Sequence, residues 1–335
     1  MNKELEQELI ERVKKDSYTF KYIEEQTEAI CLEAVKINRL ALQFVKNQTE
    51  AICLEAVKRD GNAFKYVKNQ TEAICLEAVK QDWYNLKQVK NQTLEMCLIA
   101  VKEDGNALEY VKDQTQEICL VAVKNHSLVL KYVKDQTEEL CLIAVKRNGN
   151  ALEYVKDQTE VVCLVAVRQN GYALQYVNNK TEKISLEAVK KHGSALKYVN
   201  DKTQEICLEA VKQDGRALKY IKNQTEELCL EAVKNNIRSF KYVKDQTVKL
   251  CKFVLDKDLN SVSMIKIIPT KRNNALVILD AYLKYNKKDE LILNKIIKTF
   301  NKDKDIINFY TKHKLWKYVD FNKLDNKLTQ YGMTL

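Results

Sequence analysis

All ten cysteines of this 335-residue chain occupy one position of a 22-residue repeat, where thiols could form disulfides or bind a metal. We expect neither chemistry. Equivalent helices of stacked repeats lie about 8–10 Å apart, whereas a disulfide needs Cα atoms within about 7 Å of each other. The chain has no CxxC pair and no ladder of histidines, so zinc-ligand spacing is absent. The cysteines are Cys31, Cys53, Cys75, Cys97, Cys119, Cys141, Cys163, Cys207, Cys229 and Cys251, and Ser185 fills the one gap. The pattern predicts small, buried, reduced side chains in a cytosolic-type compartment.

Other residues capable of catalysis are scattered. His126 and His192 share a turn position that elsewhere holds Asp or Asn, and His313 stands alone. No glycine-rich phosphate loop, nucleophile elbow or zinc signature occurs. The many glutamates are better explained as helix caps and a solvated face than as acid–base pairs. We therefore expect no catalytic, cofactor-binding or metal site, and a protein that is not an enzyme.

The element that positions these side chains is the repeat itself, numbered here from its threonine as offset zero. Offsets +3, +4, +5, +7 and +8 are mostly Ile, Cys, Leu, Ala and Val, and they fall on one side of a helix, helix A. Offsets +2, +6, +9 and +10 are mostly polar and fall on the other side. The threonines are Thr27, Thr49, Thr71, Thr93, Thr115, Thr137, Thr159, Thr181, Thr203, Thr225 and Thr247.

The boundaries of the repeat are also predicted from residue types. Helix A begins either at an Asn or Asp N-cap, with the following Glu in a capping box, or at the threonine. Glycine at +12 suggests a left-handed residue that ends helix A. A short helix B follows, with Ala, Leu, Tyr and Val at +14, +15, +17 and +18 on one face. A helix–turn–helix unit with one apolar side must stack on its neighbours, which predicts an all-α solenoid.

Departures from the repeat divide the chain. Residues 1–26 contain a degenerate N-terminal capping repeat, 27–246 hold ten regular repeats, and 247–268 are a degenerate last repeat, twelve in all. Residues 269–335 have no period. They predict a small helical C-terminal domain, with helical patterns near Ala275–Tyr285, Glu290–Phe300 and Asp305–His313, then Trp316 and Tyr318.

Charge is uneven along the chain. The formal net charge is +10, and residues 257–335 carry 16 Lys and Arg against 8 Asp and Glu. The N-terminal segment is charged throughout, unlike a signal peptide, and no apolar run reaches the roughly 18 residues that cross a bilayer. We expect a cytoplasmic protein with no membrane contact.

Two further ladders run through the repeats. Tyrosines at +17 are expected to bury their rings and keep their hydroxyls at the rim. Lysines at +19 are expected to face outward and could track phosphates, although neighbouring acids nearly neutralise the repeats and lysines also cover apolar surface. This lysine ladder consists of Lys46, Lys68, Lys90, Lys112, Lys134 and Lys156, breaks at Asn178 and Asn200, and resumes at Lys222 and Lys244.

The most informative irregularity is at offset +6, which lies about 160° from the centre of the buried face of helix A. Flanking repeats carry Glu there, but four consecutive repeats carry a β-branched apolar residue. These residues, called here the apolar strip, are Ile99, Val121, Ile143 and Val165. Single exposed apolar residues need no explanation, but four on one stacked surface would extend over about 30 Å and predict a contact site.

The recurring Y-V-K-[ND]-Q-T-E-x-x-C-L-x-A-V-K-x-[ND]-G-x-A-L of residues 5–268 resembles a short α-helical repeat family of unknown function. That family is abundant in giant DNA viruses and has members in intracellular bacteria. The resemblance implies an α-solenoid-like protein of a large virus or its host's cytoplasm, and it brings no catalytic residues.

The sequence favours the first of three functions and leaves the other two as alternatives. The first is a scaffold that binds a protein partner of unknown identity through the apolar strip. The second is a binder of nucleic acid or another polyanion through the basic tail and the lysine ladder. The third is a structural component that self-associates through the same strip.

Overall fold

A computed structural model describes residues 2–266, 271–284, 290–300 and 303–315. The chain divides into an N-terminal unit, Met1–Asn178, and a C-terminal unit, Asn179–Leu335. In the described residues every regular element is helical, and twelve pairs of an α-helix and a 3₁₀ helix follow one another at the repeat period. The all-α solenoid is thus confirmed.

In the N-terminal unit the α-helices are α1 Lys3–Lys15, α2 Glu28–Ile37, α3 Glu50–Arg59, α4 Glu72–Gln81, α5 Leu94–Glu103, α6 Gln116–Asn125, α7 Glu138–Arg147 and α8 Glu160–Gln169. The 3₁₀ helices are η1 Ser17–Tyr22, η2 Arg39–Phe44, η3 Gly61–Tyr66, η4 Trp83–Gln88, η5 Gly105–Tyr110, η6 Ser127–Tyr132, η7 Gly149–Tyr154 and η8 Gly171–Tyr176. Each α-helix packs on the next α-helix, and each 3₁₀ helix packs on the next 3₁₀ helix. The repeats therefore build two parallel layers.

The C-terminal unit continues the same alternation. Its repeat helices are α9 Glu182–Lys191, η9 Gly193–Tyr198, α10 Gln204–Gln213, η10 Gly215–Tyr220, α11 Glu226–Asn235, η11 Ile237–Tyr242, α12 Val248–Lys257 and η12 Leu259–Met264. Three further helices follow the repeats: α13 Arg272–Lys284, α14 Glu290–Thr299 and α15 Lys304–Lys312. These match the three helical patterns expected of the tail to within three residues. The aromatic residues Trp316 and Tyr318 lie outside the described residues.

The threonine, rather than the preceding Asn or Asp, is the N-cap of each regular α-helix. Thr137 has extended backbone angles, and its hydroxyl accepts a hydrogen bond from Leu140 N at 3.3 Å. The following Glu138 is the first helical residue, so it cannot form a capping box. Its carboxylate instead accepts a hydrogen bond from the hydroxyl of Thr159 in the next repeat, at 2.7 Å. The T-E pair therefore ties neighbouring repeats together as well as starting each helix.

Helix B is a six-residue 3₁₀ helix, and its core differs from the predicted one. In repeat 137–158 the buried residues are Leu140, Cys141, Ala144 and Val145 of α7, Gly149, Ala151 and Leu152 of η7, and Val155 directly after η7. Leucine at +5 is half-buried in most repeats, and tyrosine at +17 is half-buried, as at Tyr154. The residue at +11 serves both helices: Asn148 N donates to Ala144 O at 2.9 Å, and its side chain accepts from Asn150 N at 3.0 Å. Such short segments favour 3₁₀ geometry over an α-helix.

The glycine at +12 does not take the left-handed conformation predicted for it. No glycine in the described residues has a positive φ. Gly149 is the first residue of η7, and a Cβ placed on it would lie 2.5 Å from the carbonyl oxygen of Ala166 in the next repeat. Glycine is therefore required because two backbones approach closely, which a sequence pattern cannot distinguish from a helix C-cap.

Replacing this glycine should destabilise the stack. We expect Gly149→Ala to lower the free energy of unfolding by about 1–3 kcal/mol, because a rigid carbonyl must move to admit the methyl group. Gly61→Ala is the matched control, since its nearest neighbours, Gln81 Cβ and Asn85 Nδ2, lie at 3.0 and 3.1 Å and need to move by only a few tenths of an ångström. Urea denaturation of both variants tests this. Equal losses of stability would contradict the close-approach explanation.

Candidate partner-binding surface

The apolar strip is half-buried rather than fully exposed, which corrects the predicted orientation of offset +6. Ile99, Val121, Ile143 and Val165 are all only partly accessible. Glutamates at the same offset are similar: the side chains of Glu187 and Glu231 are 26% and 31% exposed. Offset +6 therefore lies at the edge of the buried face, in the groove where neighbouring α-helices meet. All four strip residues belong to α5–α8 of the N-terminal unit.

In four of the six flanking repeats the glutamate at +6 forms an ion pair with the lysine three residues later. Glu33 pairs with Lys36 at 3.8 Å, and Glu231 pairs with Lys234 at 2.7 Å. The four strip repeats keep the cation at +9 but replace the acid with an apolar group. They therefore give up a local ion pair and gain exposed apolar area, a combination that helix stability alone does not favour.

Two rows of charge border the apolar strip. One helical turn before it, at offset +2, lie the exposed acids Glu95, Glu117 and Glu139. One turn after it, at offset +9, lie the exposed cations Lys102, Lys124, Lys146 and Arg168. In the fourth repeat the +2 position is Val161, which is 55% exposed. Val161 and Val165 lie one turn apart on α8, so the apolar area widens there. Val161 was not among the predicted site residues, although its break in the acidic row was a readable signal.

The lysine ladder is exposed along its side chains, but the ammonium groups of six of its eight lysines donate to backbone carbonyls. Lys134 Nζ donates to Lys112 O at 2.6 Å. Lys156 Nζ donates to Lys134 O at 2.7 Å and to Val133 O at 3.3 Å. Equivalent bonds connect Lys46, Lys68 and Lys112 to carbonyl groups of the preceding repeat. These lysines satisfy carbonyls at the end of each preceding 3₁₀ helix, a role that the outward-facing prediction did not include.

A ladder of glutamines at offset +21, which was not predicted from the sequence, also joins the repeats. Gln136 Nε2 donates to Leu130 O at 3.1 Å in its own repeat and to Tyr154 O at 2.8 Å in the next. Its Oε1 accepts from Lys156 N at 2.9 Å. One amide thus satisfies three backbone groups across two repeats. The near-constant Gln before each Thr was the available signal.

The cysteines lie buried as predicted, and all ten are free. Cys141 Sγ lies 3.8 Å from Oε1 of Gln136, and the same contact recurs in most repeats. Burial raises the pKa of the Cys53 thiol from its ordinary value of 9.0 to about 11, with a smaller contribution from the nearby Glu50 carboxylate. The thiols are therefore held in the protonated, unreactive form.

The histidines and tyrosines also have structural surroundings. His126 and His192 end α6 and α9, and neither forms a side-chain cap. Burial and the neighbouring Lys191 lower the pKa of His192. Lysines at +16 lie over several tyrosine rings, as Lys131 does over Tyr132 at 4.5 Å. Across the described ranges, no cluster of three or more His, Cys, Asp or Glu side chains could hold a metal ion.

The family model described as "Domain of unknown function (DUF4116)" matches residues 28–72, 49–94, 93–137, 115–159, 137–182, 181–225 and 203–246. Each match spans about two repeats, and together they cover most of the chain. The chain belongs to the DUF4116 family. No curated protein and no solved structure matches it. The DUF4116 matches include the four helices of the apolar strip, and they stop before α12. Within the described part of this DUF4116 chain, no helix has the length and apolar character needed to cross a membrane.

Proposed function

We propose that this protein is a non-enzymatic scaffold that binds a helix of another protein along the apolar strip. The observation that supports it is the replacement by Ile or Val, in four consecutive repeats, of a glutamate that is ion-paired in four of the six flanking repeats. A partner helix can place apolar anchors spaced three and four residues apart in such a surface. Four stacked helices give it a run of about 30 Å, or roughly five helical turns.

The charge rows define the chemistry of the partner. The acidic row at +2 and the basic row at +9 lie on opposite sides of the strip. A complementary helix therefore carries basic residues along one edge of its apolar face and acidic residues along the other. Because the two rows differ in sign, they also select one direction of the partner helix. This arrangement favours an amphipathic helix of mixed charge over a uniformly acidic or basic one.

We propose that the protein resides in the cytoplasm of the host of a large virus, or in a viral compartment that is equally reducing. Ten buried thiols with no disulfide among them support a reducing environment. The resemblance to repeats abundant in giant viruses supports the viral setting. A polyanion-binding role through the lysine ladder has less support, because those ammonium groups donate to backbone carbonyls.

The proposal is tested by the double substitution Val121→Glu/Ile143→Glu. Each new glutamate lies three residues before a lysine, Lys124 or Lys146, and can recreate the ion pair of the flanking repeats. We expect the free energy of unfolding to change by no more than about 1 kcal/mol. Capture of partner proteins, compared by mass spectrometry between wild type and variant, should lose a defined subset.

The matched control is Glu55→Gln/Glu77→Gln, which changes the same offset outside the strip and should leave capture unchanged. Analytical ultracentrifugation of the wild type and the double variant measures self-association. Loss of a wild-type oligomer in the variant would identify the partner as a second copy of the chain. Identical capture and identical oligomeric state in all three proteins would refute the role of the strip.

A further inference from the structure

Three consecutive 3₁₀ helices of the C-terminal unit present the same lysine–tyrosine pair. In η9, η10 and η11 the Nζ of lysine lies 4.4, 4.7 and 4.9 Å from the ring centroid of the tyrosine that follows it. The lysines are exposed and the tyrosines half-buried. These residues, called here the basic aromatic row, are Lys197, Tyr198, Lys219, Tyr220, Lys241 and Tyr242. Because η9, η10 and η11 pack on one another, the pairs form a continuous series.

Further cations lie beside this row. Arg216 and Arg238 are exposed at the +13 position of η10 and η11. Asp214 forms an ion pair with Arg216 at 3.1 Å, and two further acids, Asp201 and Asp245, lie three residues after Tyr198 and Tyr242. At the same +16 offset, the N-terminal unit interrupts its lysines with Glu109 and Glu153. The uninterrupted alternation of cation and ring is therefore particular to the C-terminal unit.

A groove opens at the end of the row, between η11 and η12. Its volume is about 310 Å³, and its lining includes Arg238 and Lys241 together with Ile237, Met264, Asn260 and Ser263. It also includes one acid, Asp258, whose carboxylate accepts hydrogen bonds from Asn260 N at 3.0 Å and from Ser261 Oγ at 3.2 Å. It combines apolar atoms with amide and hydroxyl groups beside two cations. A planar heterocycle with hydrogen-bonding edges and an attached phosphate fits this set of groups.

We propose that the basic aromatic row binds single-stranded nucleic acid. Lysine and arginine side chains contact successive phosphates, and the tyrosine rings stack against bases. Stacking of a base on a tyrosine ring is stronger than an exposed cation–π contact between lysine and that ring. When a lysine moves from its tyrosine to a phosphate, a base therefore takes its place on the ring with a gain in stability. The groove beyond Lys241 receives one further nucleotide.

A single strand explains the row better than a duplex or an acidic peptide. Bases of a duplex are stacked on one another and cannot reach the tyrosines, whereas unpaired bases can. An acidic peptide would use the cations but leave three regularly spaced rings unexplained. The site is independent of the apolar strip, which lies in the other unit.

The test uses fluorescence anisotropy of a fluorescein-labelled 20-nucleotide oligouridylate with the full-length protein. We expect Lys219→Gln/Lys241→Gln to weaken binding at least tenfold at 100 mM salt. The slope of log K against log salt should become shallower by about 1.4, roughly 0.7 for each lost phosphate contact. Tyr220→Leu/Tyr242→Leu should also weaken binding at least fivefold without changing that slope.

The matched control is Lys65→Gln/Lys131→Gln, which removes the same charge from the same offset and the same type of lysine–tyrosine pair in the N-terminal unit. It should weaken binding less than twofold. Helical signal and melting temperature verify that each variant is folded. Absence of wild-type binding, or an equal loss in the control, would overturn the assignment. Equal affinity for a 20-base-pair duplex with no effect of the tyrosine changes would likewise reject single-strand recognition.

Discussion

Above pH 9 the protein is expected to lose stability steeply, because its buried thiols cannot ionise in the folded state. Burial raises the pKa of Cys31, Cys53, Cys97 and Cys229 to about 11 and that of Cys251 to about 12, and it raises the pKa of the other five as well. The unfolded chain ionises near the ordinary value of 9.0. Between pH 9 and 11 the folded state therefore binds more protons than the unfolded state.

The sign and size of the effect follow from this difference in bound protons. A raised folded-state pKa contributes stability that is complete below pH 9 and is lost as pH rises towards 11. Each such thiol lowers the free energy of unfolding by about 1.4 kcal/mol per pH unit in that window. The combined loss of unfolding free energy from several thiols exceeds the stability of a typical domain. We therefore expect cooperative loss of helical signal between pH 9 and 11.

A single substitution separates the thiols from lysines and tyrosines that also titrate there. Cys53→Ser removes one ionisable group, and Ser185 already occupies the same buried offset, 2% exposed. Between pH 9.5 and 10.5 the free energy of unfolding, measured by urea denaturation, should fall less steeply with pH in the variant than in the wild type. The difference in slope should be about 1.4 kcal/mol per pH unit, which is the contribution of one proton. Identical pH dependence in wild type and Cys53→Ser would show that the thiols do not cause the alkaline transition.

Much of this fold could be predicted from the sequence, because a repeat states its period many times over. The period, the apolar face of helix A, the buried cysteines and the helical tail all depend on side-chain pattern alone. The 3₁₀ geometry of helix B could not be predicted from six residues, since +14, +15, +17 and +18 share a face in either helix type. The role of Gly149 was predicted wrongly because a glycine required by a close approach of two backbones looks the same in the sequence as a glycine that ends a helix.

The candidate sites were predicted less well, and for a physical reason. Helical angles alone place the +6 residues opposite the buried face, but a neighbouring helix covers part of that flank. Val121 and Ile143 are therefore half-buried, which a single-helix projection does not predict. The lysine ladder was likewise interpreted from one repeat, whereas Lys134 and Lys156 bind carbonyls of the repeat before. Functions that depend on contacts between repeats become visible only when the repeats are stacked.

The glutamine ladder gives the second large prediction, and it tests those contacts directly. Gln136→Met keeps the length of the side chain but removes both polar atoms of the amide. It leaves two backbone groups without their partner, Tyr154 O and Lys156 N, whereas Leu130 O keeps its hydrogen bond from Val133 N at 3.1 Å. Each unsatisfied, partly buried group costs about 1–3 kcal/mol. We expect a loss of about 3 kcal/mol or more in the free energy of unfolding, measured by urea denaturation.

Gln116→Met is the matched control, because Gln116 is exposed at the start of α6 and its amide contacts only the carboxylate of Glu139, at 3.4 Å. Its stability should change by no more than about 0.5 kcal/mol.

The chain also offers a natural replacement for the glutamine. Where lysine stands at +21, as in Lys202, asparagine stands at +19, and Lys202 Nζ donates to Val199 O at 2.8 Å. The pair Lys134→Asn/Gln136→Lys copies that arrangement and should recover part of the loss. If Gln136→Met were as mild as Gln116→Met, water would be serving the two backbone groups, and the glutamine ladder would not hold the repeats together.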